Sequence, residues 1–444
     1  MMDLNTVDAT PTKDFFISML VRDIDLIDAI ADLVDNSIDG ARRNRKDGNY
    51  EGLHVCLDLS HEQFRIADNC GGMSVEIARS YAFKFGRPEK TIGVEGSIGR
   101  FGVGMKRSFF KLGQAFRVQS ATVDTYFVLE DSVDEWRTRD QWTFDFLERI
   151  EPPDPIPKGE PGTDIVVTRL HPEVARDISS ERFVSRLIDD LASKHGPAIG
   201  GGLSISVNSF PVLAAALGLK QSKELVPAFV ELSYGNTDDS TIVVKLYVGI
   251  DEPDPNAAGW YVFCNGRLIL KADQSNDTGW KEAAAENDQE SVPQYHNNYA
   301  RFRGFAFFEA RNPDLLPWNT TKTGVDMDSP VYRSVRQKMI TKMVPVIRFL
   351  YGLAKERAQF ASPSDRLIEQ AVNKSPSHKL SDITGASVFV RPDVTRAKKP
   401  TTQRVQYSKD VSEIDLVKAS LGVTSLKDVG EKTFEYYLRM ECSD

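Results

Sequence analysis

The densest set of side chains capable of chemistry lies between Asp25 and Ala41, in the run DLIDAIADLVDNSIDGA. At about 100° per residue, Ile27, Ile30, Val34, Ile38 and Ala41 share one helix face, while Asp25, Asp28, Asp32, Asp35, Asn36 and Asp39 crowd the other. Carboxylates three or four residues apart repel by about 0.2–0.5 kcal/mol per pair, and no Lys or Arg joins this face before Arg42. The face therefore calls for a cation from elsewhere. A solvated acidic surface is the competing reading.

Three further stretches carry chemistry. Asp68-Asn69-Cys70-Gly71-Gly72-Met73 sets a carboxylate at the end of a strand beside glycines, which allow the close approach that a Cβ would obstruct. This suits a small-molecule contact, or an Asp-Asn turn that merely closes the strand. Gly99-Arg100-Phe101-Gly102-Val103-Gly104-Met105-Lys106 leads into a helical pattern starting at Arg107. Glycines there let backbone N–H groups face a phosphate at the positive end of the helix dipole, and Lys106 and Arg107 add charge. No GKS or GKT follows, so this is not a Walker A loop; nor do the glycines follow a first strand, as a dinucleotide fingerprint requires. Lys322 is the central lysine of the polar loop Leu316–Gly324, either solvated or aimed at a partner group.

The surrounding patterns say what positions these groups. Leu53–Leu59, Gln63–Ala67, Ala115–Glu130 and Gly162–Leu170 alternate at period two and read as strands, and Val75–Phe85 and Ser180–His195 read as helices. A first domain with a mostly antiparallel sheet is predicted over 25–200, after an arm at 1–24 and with a lid before Ser97. A second domain over 201–361 starts with strands at Leu203–Val207 and Thr241–Ile250. It continues through a hairpin at Asn265-Gly266 and ends in a helix over Val331–Phe360 with the stripe Val335, Met339, Met343, Ile347 and Leu350. Residues 362–410 form a basic, proline-punctuated linker, and 411–444 a small helical unit.

Composition excludes several classes. A chain of 444 residues with net charge −9 suits about two to three domains and argues against a wholesale nucleic-acid coat. Four cysteines without CxxC spacing and six histidines without HExxH predict no zinc site and fit a reducing compartment. No signal sequence and no apolar run of about 18 residues is present, so a soluble cytoplasmic protein without membrane contact is expected.

In their order, the acidic helix with Asn36, the DN-GGM turn, the lid, the GRFGVGMK loop and the Gly162-Thr163-Asp164 strand resemble the GHKL superfamily over roughly residues 14–170. That superfamily is named for gyrase, the ninety-kilodalton heat-shock chaperone, histidine kinases and MutL. Val262-Phe263-Cys264-Asn265-Gly266-Arg267 and Lys322 are similar to the transducer domain of its MutL, chaperone and MORC branches. Histidine kinases lack that domain, and no phosphoacceptor helix precedes. The resemblance implies an α/β (α+β) Bergerat-type sandwich with a mostly antiparallel sheet, then an α/β transducer-like domain. It also implies ATP and Mg²⁺ as ligands. Asn36 would hold the metal, Asp32 would act as general base on water, and Asp39 would assist phosphate- or water-mediated contacts. Asp68 would accept from the adenine amino group, Gly72 and Met73 would shape the base pocket, and Thr163 would support Asp68 through its hydroxyl or a water. Gly99, Gly102, Val103, Gly104 and Lys106 would surround the phosphates, with Lys322 reaching the γ-phosphate. Two residues depart from the pattern: Asp32 stands where Glu is usual, one methylene short, and Cys70 stands where the first Gly of DxGxG is common. The first departure implies slow hydrolysis, or an ATP-binding scaffold. The resemblance further implies an ATP-dependent homodimer, a DNA or protein effector partner touched by the stretch Arg396–Arg404, and a role in bacterial antiviral defence.

Overall fold

The computed structural model describes residues 11–86, 97–99, 102–154, 160–282, 291–393 and 403–442. The start of the arm, the lid centre with Arg100 and Phe101, and most of the basic stretch 396–404 lie outside the described residues.

The arm's described part is α1 (Lys13–Arg22), capped by the Thr12 hydroxyl. It is docked on its own domain. The buried Lys13 ammonium donates to the carbonyls of Trp136, Arg139 and Gln141, each at 2.7 Å, and Phe16 meets Phe85 and Trp142 edge-on. Next comes α2 (Leu26–Asn44), where the Asp25 carboxylate caps the helix by accepting from Ile27 N. Its apolar residues Ile27, Ile30, Val34, Ile38 and Ala41 are all buried in the core, as the periodicity requires.

The chain then runs through β1 (His54–Leu59), β2 (Gln63–Asp68), α3 (Val75–Ile77), α4 (Gly104–Leu112), β3 (Gly113–Ala121), β4 (Tyr126–Ser132), α5 (Val133–Thr138) and β5 (Phe146–Ile150). It continues through β6 (Gly162–Leu170), α6 (Pro172–Ile178), α7 (Glu181–Lys194), α8 (Gly196–Gly200), β7 (Ser204–Val207) and β8 (Phe210–Val212). These strands form one sheet in the order β5-β4-β3-β6-β2-β1-β7-β8, antiparallel throughout except where β7 lies parallel to β1. The segment Leu203–Val207, expected to open the second domain, thus belongs to the first sheet. Its alternation fits either sheet; the glycine turn decides, because Tyr50 N donates to Gly201 O at 2.7 Å and returns the chain to the β1 edge.

The second sheet follows from β9 (Gly218–Lys220), β10 (Ala228–Tyr234), β11 (Ile242–Ile250), β12 (Gly259–Cys264), β13 (Arg267–Asp273) and β14 (Phe302–Ala310), in the order β10-β11-β14-β12-β13. The long helix α9 (Pro330–Gln359) buries Val335, Met339, Met343, Ile347 and Leu350, and Trp260 Nε1 donates to Met343 Sδ at 3.4 Å. Residues 362–393 are no linker. They form α10 (Leu367–Lys374) and β15 (Ser377–Lys379), which pairs with β9. The buried Lys220 ammonium donates to Ser375 O at 2.8 Å, and Phe389 packs on Phe349, so prolines here punctuate a folded return rather than a tether. The chain divides after Asp393. In the second unit, α11 (Val411–Leu421) ends at Gly422, whose φ of 63° suits a left-handed helix cap, and α12 (Leu426–Glu441) is capped by Ser425. Among the described residues, no helix is long and apolar enough to cross a membrane.

Candidate functional site

The end of β2 is fixed by register. Asp68 pairs with Thr163 across β2 and β6, so Thr163 N–H donates to Asp68 Oδ1 at 3.3 Å, beside Cys70 N–H at 2.9 Å. Ser37, on α2, donates to Asp68 Oδ2 at 2.7 Å. Burial raises the Asp68 carboxyl above its ordinary value, against these hydrogen bonds. The Thr163 hydroxyl pairs instead with Ser120 Oγ at 2.9 Å, and Ser120 also accepts from Met73 N at 2.9 Å. Thr163 therefore supports Asp68 through its backbone, not its hydroxyl. Gly72 has φ of 65°, and a Cβ there would sit 2.1 Å from Ala121 O, so no side chain fits. Cys70 is buried, and its carbonyl accepts from Asn44 Nδ2 at 2.7 Å, a backbone contact that a thiol side chain does not disturb.

One helical turn before Asn36, the polar face of α2 is met by cations of the chain itself. Asp32 is buried; Arg107 Nη2 donates to its Oδ2 at 2.5 Å and Lys322 Nζ to its Oδ1 at 3.1 Å. Asp35 is fully buried, with Lys322 Nζ at 2.7 Å, Arg267 Nε at 3.1 Å and His195 Nε2 at 2.8 Å. Burial alone would raise the Asp35 carboxyl, but Arg267, Lys322 and His195 together hold it well below its ordinary value. Burial lowers the His195 imidazole, and its Nδ1 is buried without a partner. Because the Asp35 carboxylate can only accept, the Nε2–H of His195 donates to it. Burial would also lower the Lys322 ammonium, but Asp32 and Asp35 override it and hold it up. Asp28 pairs with Lys194, and Asp39 lies 3.9 Å from Arg42.

The second layer delivers two of these cations. In the hairpin turn, Asn265 adopts φ of 45° and Gly266 φ of 71°; this geometry starts β13 with Arg267 pointed at α2. Asn265 is more than a turn residue. Its Nδ2 donates to Ser97 O and Ala310 O, both at 3.1 Å, and its own carbonyl accepts from Arg42 Nη2. Lys322 sits at φ of 56°, a left-handed conformation rare for residues with a Cβ. The loop imposes it: Asn319 Oδ1 accepts from Thr323 N, and Lys322 N donates to Asn319 O, both at 3.1 Å.

The glycine loop is divided in its contacts. Asp39 accepts from Ile98 N at 2.7 Å and Gly99 N at 2.8 Å, and burial raises its carboxyl against Arg42 and these amides. A Cβ on Gly104 would lie 3.2 Å from Asp32 Oδ2, so α4 begins close against α2, with no side chain capping its first turn. Lys106 Nζ donates to the carbonyls of Ala82, Lys84 and Gly102. Burial lowers its ammonium to about 7. Its charge is therefore spent on the lid's own backbone in this conformation.

One cavity gathers every residue expected from the sequence: Asp32, Asn36, Asp39, Asp68, Gly72, Met73, Gly99, Gly102, Val103, Gly104, Lys106, Thr163 and Lys322. Asn36 is exposed into it while its helical neighbours from Ala29 to Ala41 are buried. Sequence reasoning gave no role to Ser37, Ser120, His195 or Arg267, and saw Arg107 only as added charge. A charged residue opening β13, directly before the apolar Leu268-Ile269-Leu270, was the available signal for Arg267; nothing comparable marked His195. Among curated proteins, none matches the chain. Residues 24–163 match the family described as histidine kinase-, DNA gyrase B-, and HSP90-like ATPase, and this match, with the antiparallel-rich α/β sandwich, supports a GHKL-type ATP-binding domain in this part of the chain.

Proposed function

We propose that the chain binds ATP with Mg²⁺ in this cavity and hydrolyses it slowly, with Asp32 and Lys322 as the catalytic pair. The observation that carries this reading is the convergence of Asp68 at one end and Asp32 with Lys322 at the other on a single cavity. Asp68 accepts from the adenine amino group, beside Gly72 and Met73. The uncapped N–H groups at the start of α4 face the phosphates. Asn36 offers a hard amide oxygen for the metal. Mg²⁺, a hard cation that keeps several waters and binds through few protein oxygens together with substrate phosphates, would suit that single amide oxygen. When bound, that ion supplies charge neutralisation at the phosphates. Lys322 stabilises charge developing on the transferred phosphoryl group, and because it comes from the second layer, turnover depends on how the layers pack.

Phosphate-release assays test this. Asp32→Ala and Lys322→Ala should each abolish turnover while nucleotide binding persists; activity equal to wild type in both would overturn the assignment. A scaffold that binds ATP without hydrolysis is the second reading, favoured by the fact that both Asp32 oxygens already carry a cation. Steady-state phosphate release from the wild type separates the two. The reading extends to an ATP-gated homodimer acting in the cytoplasm on DNA or a protein effector, with antiviral defence as its setting by resemblance. An unchanged monomer in light scattering with ATP, a non-hydrolysable analogue and ADP would remove the dimer.

A further inference from the structure

Beside Asn36, the buried cations Arg107, Arg267 and Lys322 meet the buried carboxylates of Asp32 and Asp35. A buried cation with an N–H that no group accepts is completed by an anion. Arg267 and Lys322 both hold Asp35, and Lys322 also reaches Asp32. Arg107 is differently placed. It lines the cavity, its single ionic partner among the described residues is Asp32, and its buried Nε has no acceptor.

Resting on the ATP-site reading above, we propose that Arg107 is the residue that makes this site select a nucleoside triphosphate over a diphosphate. Without nucleotide its guanidinium is held on Asp32 Oδ2. The terminal phosphate, carrying the charge that a diphosphate lacks, takes over that guanidinium and satisfies its unpaired N–H, a bidentate match between planar fork and phosphate. The exchange has a second consequence. Asp32 Oδ2, occupied by Arg107 in the nucleotide-free chain, becomes open to accept a proton from water, so the base is uncovered only when there is a terminal phosphate to attack. Arg107 thereby links selection of the nucleotide to readiness of the carboxylate.

The test is a double-mutant cycle read by calorimetry, with ADP and a non-hydrolysable ATP analogue, each with Mg²⁺, on the full chain. Arg107→Gln should reduce the preference for the analogue over ADP at least tenfold, with ADP affinity changed less than about twofold. Asp32→Asn releases Arg107 from its carboxylate and should tighten the analogue at least about fivefold; in the Arg107→Gln background that gain should shrink below about twofold. An unchanged preference in Arg107→Gln, or a gain from Asp32→Asn that persists in full without Arg107, overturns the proposal. Should Arg107→Gln fail to fold because Asp32 loses its partner, the double variant, which leaves neither charge of the pair behind, compared with Asp32→Asn alone still decides it. A wild type that binds neither nucleotide would instead overturn the ATP-site reading itself, and the proposal with it.

Discussion

At the Asp68 end of the cavity, every partner comes from the first sheet and the segments joined to it: Ser37 from α2, Cys70 from the turn after β2, Thr163 from β6. The Asp32 end draws Arg107 from α4, His195 from the end of α7, and Arg267 and Lys322 from the second layer. The first end relies on hydrogen bonds set by strand register. The second relies on buried ion pairs, which hold only while four distant segments stay in place. A site made this way separates two tasks. In the proposed reading, the end assigned to the base is built by the domain's own fold, whereas the end assigned to the phosphates depends on how the layers pack together.

Removing the hub of the ionic end is the severest way to break that contrast. Asp35→Asn leaves Arg267 and Lys322 buried without their shared carboxylate and should cost about 3–5 kcal/mol of stability in a urea titration. A loss below about 1 kcal/mol would mean that the network does not hold the layers. At the other end, Gly72→Ala forces a Cβ against Ala121 O in a left-handed conformation and should cost about 3 kcal/mol by the same measurement, with nucleotide binding lost.

Asp68→Asn should be milder in stability but weaken ADP and the ATP analogue alike, by roughly 10- to 100-fold, since both share the base. Equal loss for the two nucleotides would contrast with the selective loss expected of Arg107→Gln. Acid sharpens the same comparison. Asp68 is raised by burial, so it is destabilising when charged and takes up its proton first as pH falls towards the ordinary value of 3.8. Asp35 is depressed, so its stabilisation is complete above that value and is lost only as pH falls through its lower folded value. Nucleotide affinity should therefore decline on acidification before the fold melts, and calorimetry paired with circular dichroism across pH would reveal a single coincident transition if this order is wrong. The smallest effect is expected from Ser120→Ala, about 1 kcal/mol in thermal or urea melts, because it removes one hydroxyl shared by Met73 N and Thr163.

Much of this was legible in the chain, for a physical reason. The buried stripe of α2, the Asp68 turn, the glycine loop before α4 and the β12–β13 hairpin depend on local periodicity and on backbone conformations that only certain residues adopt, and both are written in neighbouring positions. An acidic face without nearby cations even announced that something positive had to meet it. What met it was not written locally. The sequence places Arg107, His195, Arg267 and Lys322 between 75 and 290 residues from Asp32 or Asp35, and only tertiary packing chose them as counter-ions. The same holds for β7, which alternates like any strand but joined the first sheet, and for residues 362–393, whose prolines suggested a tether while their apolar and polar contacts folded them back. Periodicity and turn chemistry act over a few residues and so survive in a one-dimensional reading; pairing of buried charges is settled by distances in space, and the chain alone carries no record of them.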